Sequence, residues 1–301
     1  MKKIPLQKSM RKNHNDLFII LILVVYISIV YVGSTKIPVQ EEAENSVYIN
    51  DREILGQHVI AYDVNTGTIV YEKNADDVVP LASLTKIMTA IVVAEFVPEN
   101  EQIYITERAL REEGDNGLIP GSYWSRNSLL TLMLVESSND AAFAFVEYFE
   151  TQNENLVEKM NEKANSLGLL SLHFTSSNGL DHNKIAGGQG NARDVAHLLA
   201  YAWTFHSEIF ASTTLEYVSI LSHDTNVETL KNTNKSIAKI PGRVFSKTGM
   251  TEMAGGNLGV IAEKGLLHPF VVVVLGSTEQ GRFSDVEMIV ERIFSSNIQV
   301  H

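Results

Sequence analysis

Pro80-Leu-Ala-Ser83-Leu-Thr-Lys86-Ile-Met-Thr-Ala-Ile-Val-Val-Ala-Glu-Phe96 is the stretch on which the fold turns. It reads as an apolar helix over 84–96, capped by Ser83 and stopped before Pro98. A helix with no polar face belongs at the centre of a domain, not on its surface. Ser83 and Lys86 stand three residues apart at its start, so both side chains share one face. A serine hydroxyl is a poor nucleophile without a base. A lysine amine, with an ordinary pKa of about 10.4, is a base at neutral pH only where burial or a nearby cation drives its proton off. The start of the helix would favour an oxyanion developing at Ser83.

Two further motifs lie downstream. Ser137-Ser138-Asn139 separates two helical segments and suits both a helix cap and a proton relay beside a substrate-holding amide. Lys247-Thr248-Gly249 ends the strand-like Gly242-Arg-Val-Phe-Ser-Lys-Thr-Gly and reads as an edge, where an extended peptide could add as a strand. There Lys247 and Thr248 would hold a carboxylate, and the Lys247 charge would help to lower the pKa of Lys86. Each motif has look-alikes: Ser9–Lys12, Ser236–Lys239, Ser125–Asn127, Ser176–Asn178 and Ser295–Asn297. These read as caps and surface pairs, because only the set built on Ser83, Ser137 and Lys247 has the order and setting of an acyl-transfer site.

Around this frame, segments 56–62 and 68–72 alternate like strands about an Asn65-Thr66-Gly67 turn. Helical patterns cover 128–136, 140–150 (capped by Asn139 or Asp140), 155–167 (closed by Gly168) and 192–206. Strands return at 244–247, 257–262 and 270–275, and an amphipathic helix over 284–294 closes the pattern. Strands at both ends with helices between them predict an α+β domain over 53–298. Its terminal segments would form one antiparallel sheet flanked by helices, with a helical subdomain over about 97–207 and a cleft between.

Five basic residues, Lys2, Lys3, Lys8, Arg11 and Lys12, lie within residues 1–16 and precede a run, Leu17–Val32, that is apolar except for Ser28. Extended through residue 35 as a helix, that run reaches roughly 28 Å, about a bilayer core. Residues 17–35 are therefore expected to be a transmembrane signal anchor or a signal peptide. Residues 1–16 would be cytoplasmic, 36–52 a linker, and the catalytic domain extracytoplasmic. The 301-residue chain has a formal net charge of −12 and no basic patch, which disfavours nucleic acid as a partner. It has no cysteine, so thiolate zinc sites are excluded. Its nine histidines include no His-Glu-x-x-His pair, and His182 reads as loop structure, so neither metal nor cofactor is expected. Gly187-Gly188-Gln189-Gly190 lacks the lysine of a phosphate loop and reads as a flexible connection.

The residues over 55–280 resemble the low-molecular-mass penicillin-binding proteins, the serine-type D-alanyl-D-alanine carboxypeptidases of the DacA-like peptidase family S11. The likeness rests on Pro80–Ala90, Glu136-Ser-Ser-Asn-Asp-Ala-Ala and Met160-Asn-Glu-Lys-Ala-Asn-Ser-Leu-Gly-Leu. It extends through Phe174-Thr-Ser-Ser-Asn-Gly-Leu, Ala192-Arg-Asp-Val-Ala and Ser246-Lys-Thr-Gly-Met-Thr-Glu-Met-Ala-Gly. The resemblance implies the transpeptidase-like fold shared with β-lactamases, Ser83 as acylated nucleophile, Lys86 as base and Ser137 as proton relay. It implies Asn139, Lys247, Thr248 and Gly249 as substrate-binding residues, and the Ser83 and Met250 amides as the oxyanion hole. It further implies peptidoglycan pentapeptide as substrate and β-lactam antibiotics as covalent inhibitors. Two departures stand out. Ser138 replaces a frequent glycine, and the chain ends too soon for the extra β domain and C-terminal anchor of well-known members, so anchoring would fall to the N-terminal segment. A D,D-endopeptidase, a β-lactamase using Glu158-Lys-Met-Asn161, and a non-catalytic sensor of wall peptides or β-lactams remain alternatives.

Overall fold

The computed structural model describes residues 49–114, 117–222, 226–265 and 268–296. The chain divides into Met1–Asn45 and Ser46–His301. The basic segment, the expected membrane span and most of the linker lie outside the described residues. Among the described residues no helix is long and apolar enough to cross a membrane.

A hairpin of β1 (His58–Asp63) and β2 (Ile69–Lys73) comes first, turned at Gly67 with φ 71°. β3 (Val79–Pro80) leads through a 3-10 turn, Ala82–Leu84, into α1 (Thr85–Phe96). β4 (Gln102–Tyr104) pairs with β5 (Tyr123–Ser125), which runs directly into α2 (Arg126–Val135). Then come α3 (Asn139–Thr151) and α4 (Leu156–Ser166). β6 (His173–Phe174) and β7 (Gly188–Gly190) join β3 in a small sheet ordered β3-β7-β6. α5 (Ala192–Phe205) and the short α6 (Ser207–Phe210) precede a hairpin of β8 (Tyr217–Leu221) and β9 (Val227–Lys231). The chain returns as β10 (Val244–Thr251), β11 (Gly255–Glu263), β12 (Pro269–Ser277) and α7 (Gly281–Ser295).

The main sheet is antiparallel throughout, in the order β10-β11-β12-β1-β2. First and last strands are thus neighbours, as the terminal strand patterns require. Alternation along β12 explains its unbroken apolar run. Val271, Val273 and Leu275 pack into the core built on α1 and α5, while Phe270, Val272 and Val274 pack with Phe283, Val286 and Ile289 of α7. A sheet covered on both faces needs apolar residues at both parities. The expected central helix is buried in the same way: Thr85 to Val93 of α1 are all enclosed.

Three local expectations need correcting. Ser83 does not cap α1; it sits inside the 3-10 turn, the cap position falls on Leu84, and the Ser83 hydroxyl accepts from Lys86 instead. The cap of α3 is neither Asn139 nor Asp140 but Ser138, whose hydroxyl accepts from the Ala141 amide at 3.1 Å. Gly187–Gly190 is no loose connection. A side chain at Gly188 would collide with the Thr85 hydroxyl, and one at Gly187 with the Leu180 carbonyl, so glycine is what lets β7 lie against the start of α1. The close of α4 is as read: Gly168, at φ 74°, donates to the Asn165 carbonyl at 3.0 Å and Leu169 to that of Ala164 at 2.9 Å.

Because Phe270 is fully enclosed between β12 and α7, Phe270→Ala should cost about 3–5 kcal/mol. Urea unfolding should show a lower midpoint with an unchanged slope.

Candidate active site

Three segments meet at Lys86. Its side chain is fully enclosed, and its Nζ donates to Ser83 Oγ at 2.9 Å, to Asn139 Oδ1 at 2.6 Å and to the Asn178 carbonyl at 2.8 Å. The Ser83 turn is held by strained backbone: Ala82 lies at φ 50°, and Gly179 faces its carbonyl so closely that any side chain there would clash. Ser137 is also left-handed, at φ 66°, between the end of α2 and the Ser138 cap of α3.

β10, the edge strand, brings the second lysine. Lys247 Nζ donates to Ser137 Oγ at 2.8 Å and to the Thr248 carbonyl at 3.0 Å. Thr248 Oγ1 lies 2.7 Å from Thr233 Oγ1, and the Thr233 amide donates to the Val135 carbonyl at 3.0 Å, which ties the strand to the end of α2. Gly249 passes the Ser83 turn at close range: a Cβ there would stand 2.8 Å from the Leu81 carbonyl and 3.2 Å from the Ser83 nitrogen. Met250 follows with its side chain exposed. Ser83, Lys86, Ser137, Asn139, Lys247, Thr248 and Gly249 thus converge from α1, the α2–α3 turn and β10.

Burial drives both lysines from their ordinary state. Lys86 is held well below the usual lysine range, first by desolvation and then by the Lys247 charge, with Glu112 opposing. Lys247 is lowered to about 7 by desolvation and by Arg282. Arg282 Nη1 also donates to the Gly249 carbonyl at 2.6 Å, fixing this cation behind the strand.

Several residues of the site carried no assignment in the sequence. Asn257, fully buried on β11, donates to the carbonyls of Pro80 and Leu81, both at 3.1 Å, and accepts from the Gly276 amide at 2.9 Å. It bolts the turn before α1 to the sheet, and the available signal was a polar residue inside an apolar strand. Ser176–Asn178, set aside as a look-alike, forms the far wall of the Lys86 pocket through the Asn178 carbonyl. Among the other decoys Ser125 caps α2 as read, whereas Ser236 is buried and caps no helix; it and the exposed Lys239 both bond Glu287. Ser9 and Asn297 lie outside the described residues. Glu158 is exposed on α4, while Asn161 is occupied with the Val157 carbonyl and the backbone of Phe174, so the pair shows none of the arrangement that a deacylating glutamate needs. Among the described residues no cluster of His, Asp and Glu could hold a metal ion.

A serine hydroxyl against an enclosed lysine amine, with a second buried lysine on the edge strand of an antiparallel sheet, is the arrangement that acyl transfer of the penicillin-binding type requires. The chain belongs to the D-alanyl-D-alanine carboxypeptidase family, whose model matches residues 43–279. It is similar to D-alanyl-D-alanine carboxypeptidase DacF of Bacillus subtilis, 30% identical over 238 residues covering 77% of this chain and 60% of that protein. A D-alanyl-D-alanine endopeptidase of Pseudomonas aeruginosa is 31% identical over 208 residues, covering 68% of this chain and 66% of that protein. The chain thus spans about three-fifths to two-thirds of the length of these curated relatives. A crystal structure of a Mycobacterium tuberculosis D-alanyl-D-alanine carboxypeptidase shares the fold, with a TM-score of 0.74 at 24% identity over 84% of this chain and 96% of that one. Penicillin-binding protein D2 of Listeria monocytogenes, in its ampicillin-bound form, matches with a TM-score of 0.67 at 27% identity over 80% of this chain and 98% of that one.

The lowered Lys247 pKa makes a prediction about folding. The unfolded lysine keeps its proton to about pH 10.4, while the folded one releases it near 7. Between those values the unfolded state binds more protons, so stability rises with pH. Denaturant unfolding should show a gain on the order of a few kcal/mol from Lys247 between pH 6.5 and 9.5, added to that from Lys86, so Lys247→Met should reduce the rise without abolishing it.

Proposed function

We propose that this protein is a serine-type D-alanyl-D-alanine carboxypeptidase that removes the terminal D-alanine from peptidoglycan stem peptides. The observation that carries the reading is the enclosed Lys86 amine in contact with the Ser83 hydroxyl, beside a second buried lysine on an open strand edge. The peptide adds along β10, with its terminal carboxylate on Lys247 and Thr248 and a peptide carbonyl on the Asn139 amide. The Ser83 and Met250 amides receive the scissile carbonyl oxygen. Ser83 Oγ attacks the penultimate carbonyl carbon as its proton passes to neutral Lys86. Ser137, bonded to Lys247, relays a proton to the departing D-alanine amine, leaving an ester on Ser83. Water then attacks the ester, Lys86 takes its proton, and Ser83 is regenerated. A β-lactam enters the same path but stops at the ester.

Neither metal nor cofactor enters these steps, and the −12 net charge argues against nucleic acid as a partner. Endopeptidase action on cross-linked stems is the second reading, favoured by relatives that carry that name. The apolar run 17–35 would tether the protein to the cell membrane as a single-pass anchor with the enzyme outside, or would be removed as a signal peptide.

Intact mass after incubation with penicillin should rise by one penicillin, and Ser83→Ala should show no increase. A pentapeptide should release D-alanine, with Ser83→Ala reduced by at least about 1000-fold. Equal labelling of both proteins would sink the reading. Release of D-alanine from pentapeptide without scission of cross-linked dimers separates carboxypeptidase from endopeptidase.

The pH dependence follows from both lysines. kcat/KM should rise as Lys86 loses its proton and fall as free-enzyme Lys247 loses its charge near pH 7. The falling limb of kcat should lie at higher pH, because the bound carboxylate holds the Lys247 proton. A profile that climbs only near pH 10 would remove Lys86 from the role of base.

A further inference from the structure

The loop between β4 and β5 reaches over the Lys86 pocket and touches both asparagines that hold the amine. Glu112 Oε2 accepts from Asn178 Nδ2 at 2.6 Å, and the same Asn178 presents its carbonyl to Lys86 Nζ at 2.8 Å. The Asn178 side chain is held at its other end as well. Its Oδ1 accepts from Ser176 Oγ at 3.1 Å and from the Leu180 amide at 3.0 Å. One residue further along the loop, the Glu113 carbonyl accepts from Asn139 Nδ2 at 2.6 Å, which leaves Asn139 Oδ1 pointed at Lys86. Two adjacent residues therefore orient two of the three acceptors around the amine.

We propose that Glu112 is a positioning residue for the reaction: through the Asn178 amide it fixes the carbonyl against which Lys86 is aimed at Ser83, and its carboxylate sets how readily Lys86 gives up and takes back a proton. This rests on the reading of Lys86 as the base.

The chemistry supports a role beyond scaffolding. Asn178 is almost wholly buried, whereas Glu112 is only half-buried and lines a cavity of about 580 Å³ with Phe143, Ser177, Leu180 and His182. An amide holding only the loop in place would need no charged acceptor there. The charged groups that face Lys86 are Lys247, from β10, and Glu112, from the loop, and they act with opposite sign. Those around Glu112 are Arg108 and Arg111 of its own segment, Glu113 beside it, and Asp181 and His182 across the cavity. A proton acceptor must also be able to hold the proton it receives. Burial and the Lys247 charge press that proton off Lys86, and the nearby carboxylate opposes them, which shifts the pH at which the amine can take it.

Two substitutions separate the bond from the charge. Glu112→Gln keeps an oxygen acceptor for Asn178 Nδ2 but removes the charge. Its plateau kcat/KM for D-alanine release should stay within about threefold of wild type, while the rising limb moves to lower pH, because the proton on Lys86 is no longer stabilised. Glu112→Ala removes both, and its plateau should fall on the order of ten- to a hundredfold as Lys86 loses its aim. The rate of penicillin acylation read by mass should follow the same order. A Glu112→Gln profile that superimposes on wild type would overturn the proposal, as would a Glu112→Ala plateau equal to wild type. If Glu112→Ala does not fold, the Glu112→Gln profile decides alone. Wild-type protein with neither D-alanine release nor a penicillin adduct would instead refute the carboxypeptidase reading, so the two failures are distinct.

Discussion

Two lysine amines buried in one cleft set the terms for the rest of this structure. Taking an ammonium out of water is costly, and taking two to the same place adds their repulsion. The chain meets this by letting one of them become neutral. Lys86 lies deepest, with three oxygens around its Nζ, and Lys247 retains the charge until about pH 7. The features that look expensive elsewhere serve this pair. The enclosed helix α1 supplies the apolar wall, and the edge position of β10 leaves an open side for substrate. The left-handed residues Ala82 and Ser137 bring hydroxyls within reach of the amines.

Much of this was legible in the residues. The unpatterned apolar run after Ser83 has no other home than a core, and the valine-rich strands near the end cannot be satisfied except by a sheet covered on both sides. The spacing Ser83–Lys86 determines a shared helical face, so that pair could be placed before any coordinates. Lys247 reads as the close of an edge strand because Gly249 offers no side chain to obstruct an incoming peptide; the edge is as read, but β10 runs on to Thr251 and holds Lys247 in its middle. The glycine also serves the approach of the Ser83 turn from the other side.

What the sequence hid is what depends on long-range approach. Asn257 reads as a misplaced polar residue until the Pro80 and Leu81 carbonyls are seen to face it. Gly187–Gly190 reads as slack because a glycine run has the same local signature whether it is free or wedged against Thr85. Ser176–Asn178 was indistinguishable from its look-alikes, since its contribution is a backbone carbonyl, which every residue possesses. Ser83 and Asn139 both give up their expected caps for one reason, because Lys86 Nζ engages the oxygen of each, and Ser138 caps α3 instead. A hydroxyl engaged by a lysine amine is not free to cap a helix, and the neighbouring motif had a second serine to spare.

The strand order carries a consequence for how the enzyme comes into being. β1 is flanked on one side by β2, its immediate successor, and on the other by β12, the last strand of the sheet. Ser83 is therefore synthesised long before the strand that faces it, and the cleft closes only after nearly the whole domain has been made. Such distant pairings form slowly, since the entropy of closing the loop is lost before the contacts return it. An incomplete or unfolded chain thus carries an exposed Lys86 with its ordinary basicity and a Ser83 no more reactive than any surface serine. The topology makes the reactivity of the Ser83 hydroxyl a property of the finished fold, absent from every shorter or unfolded form of the chain.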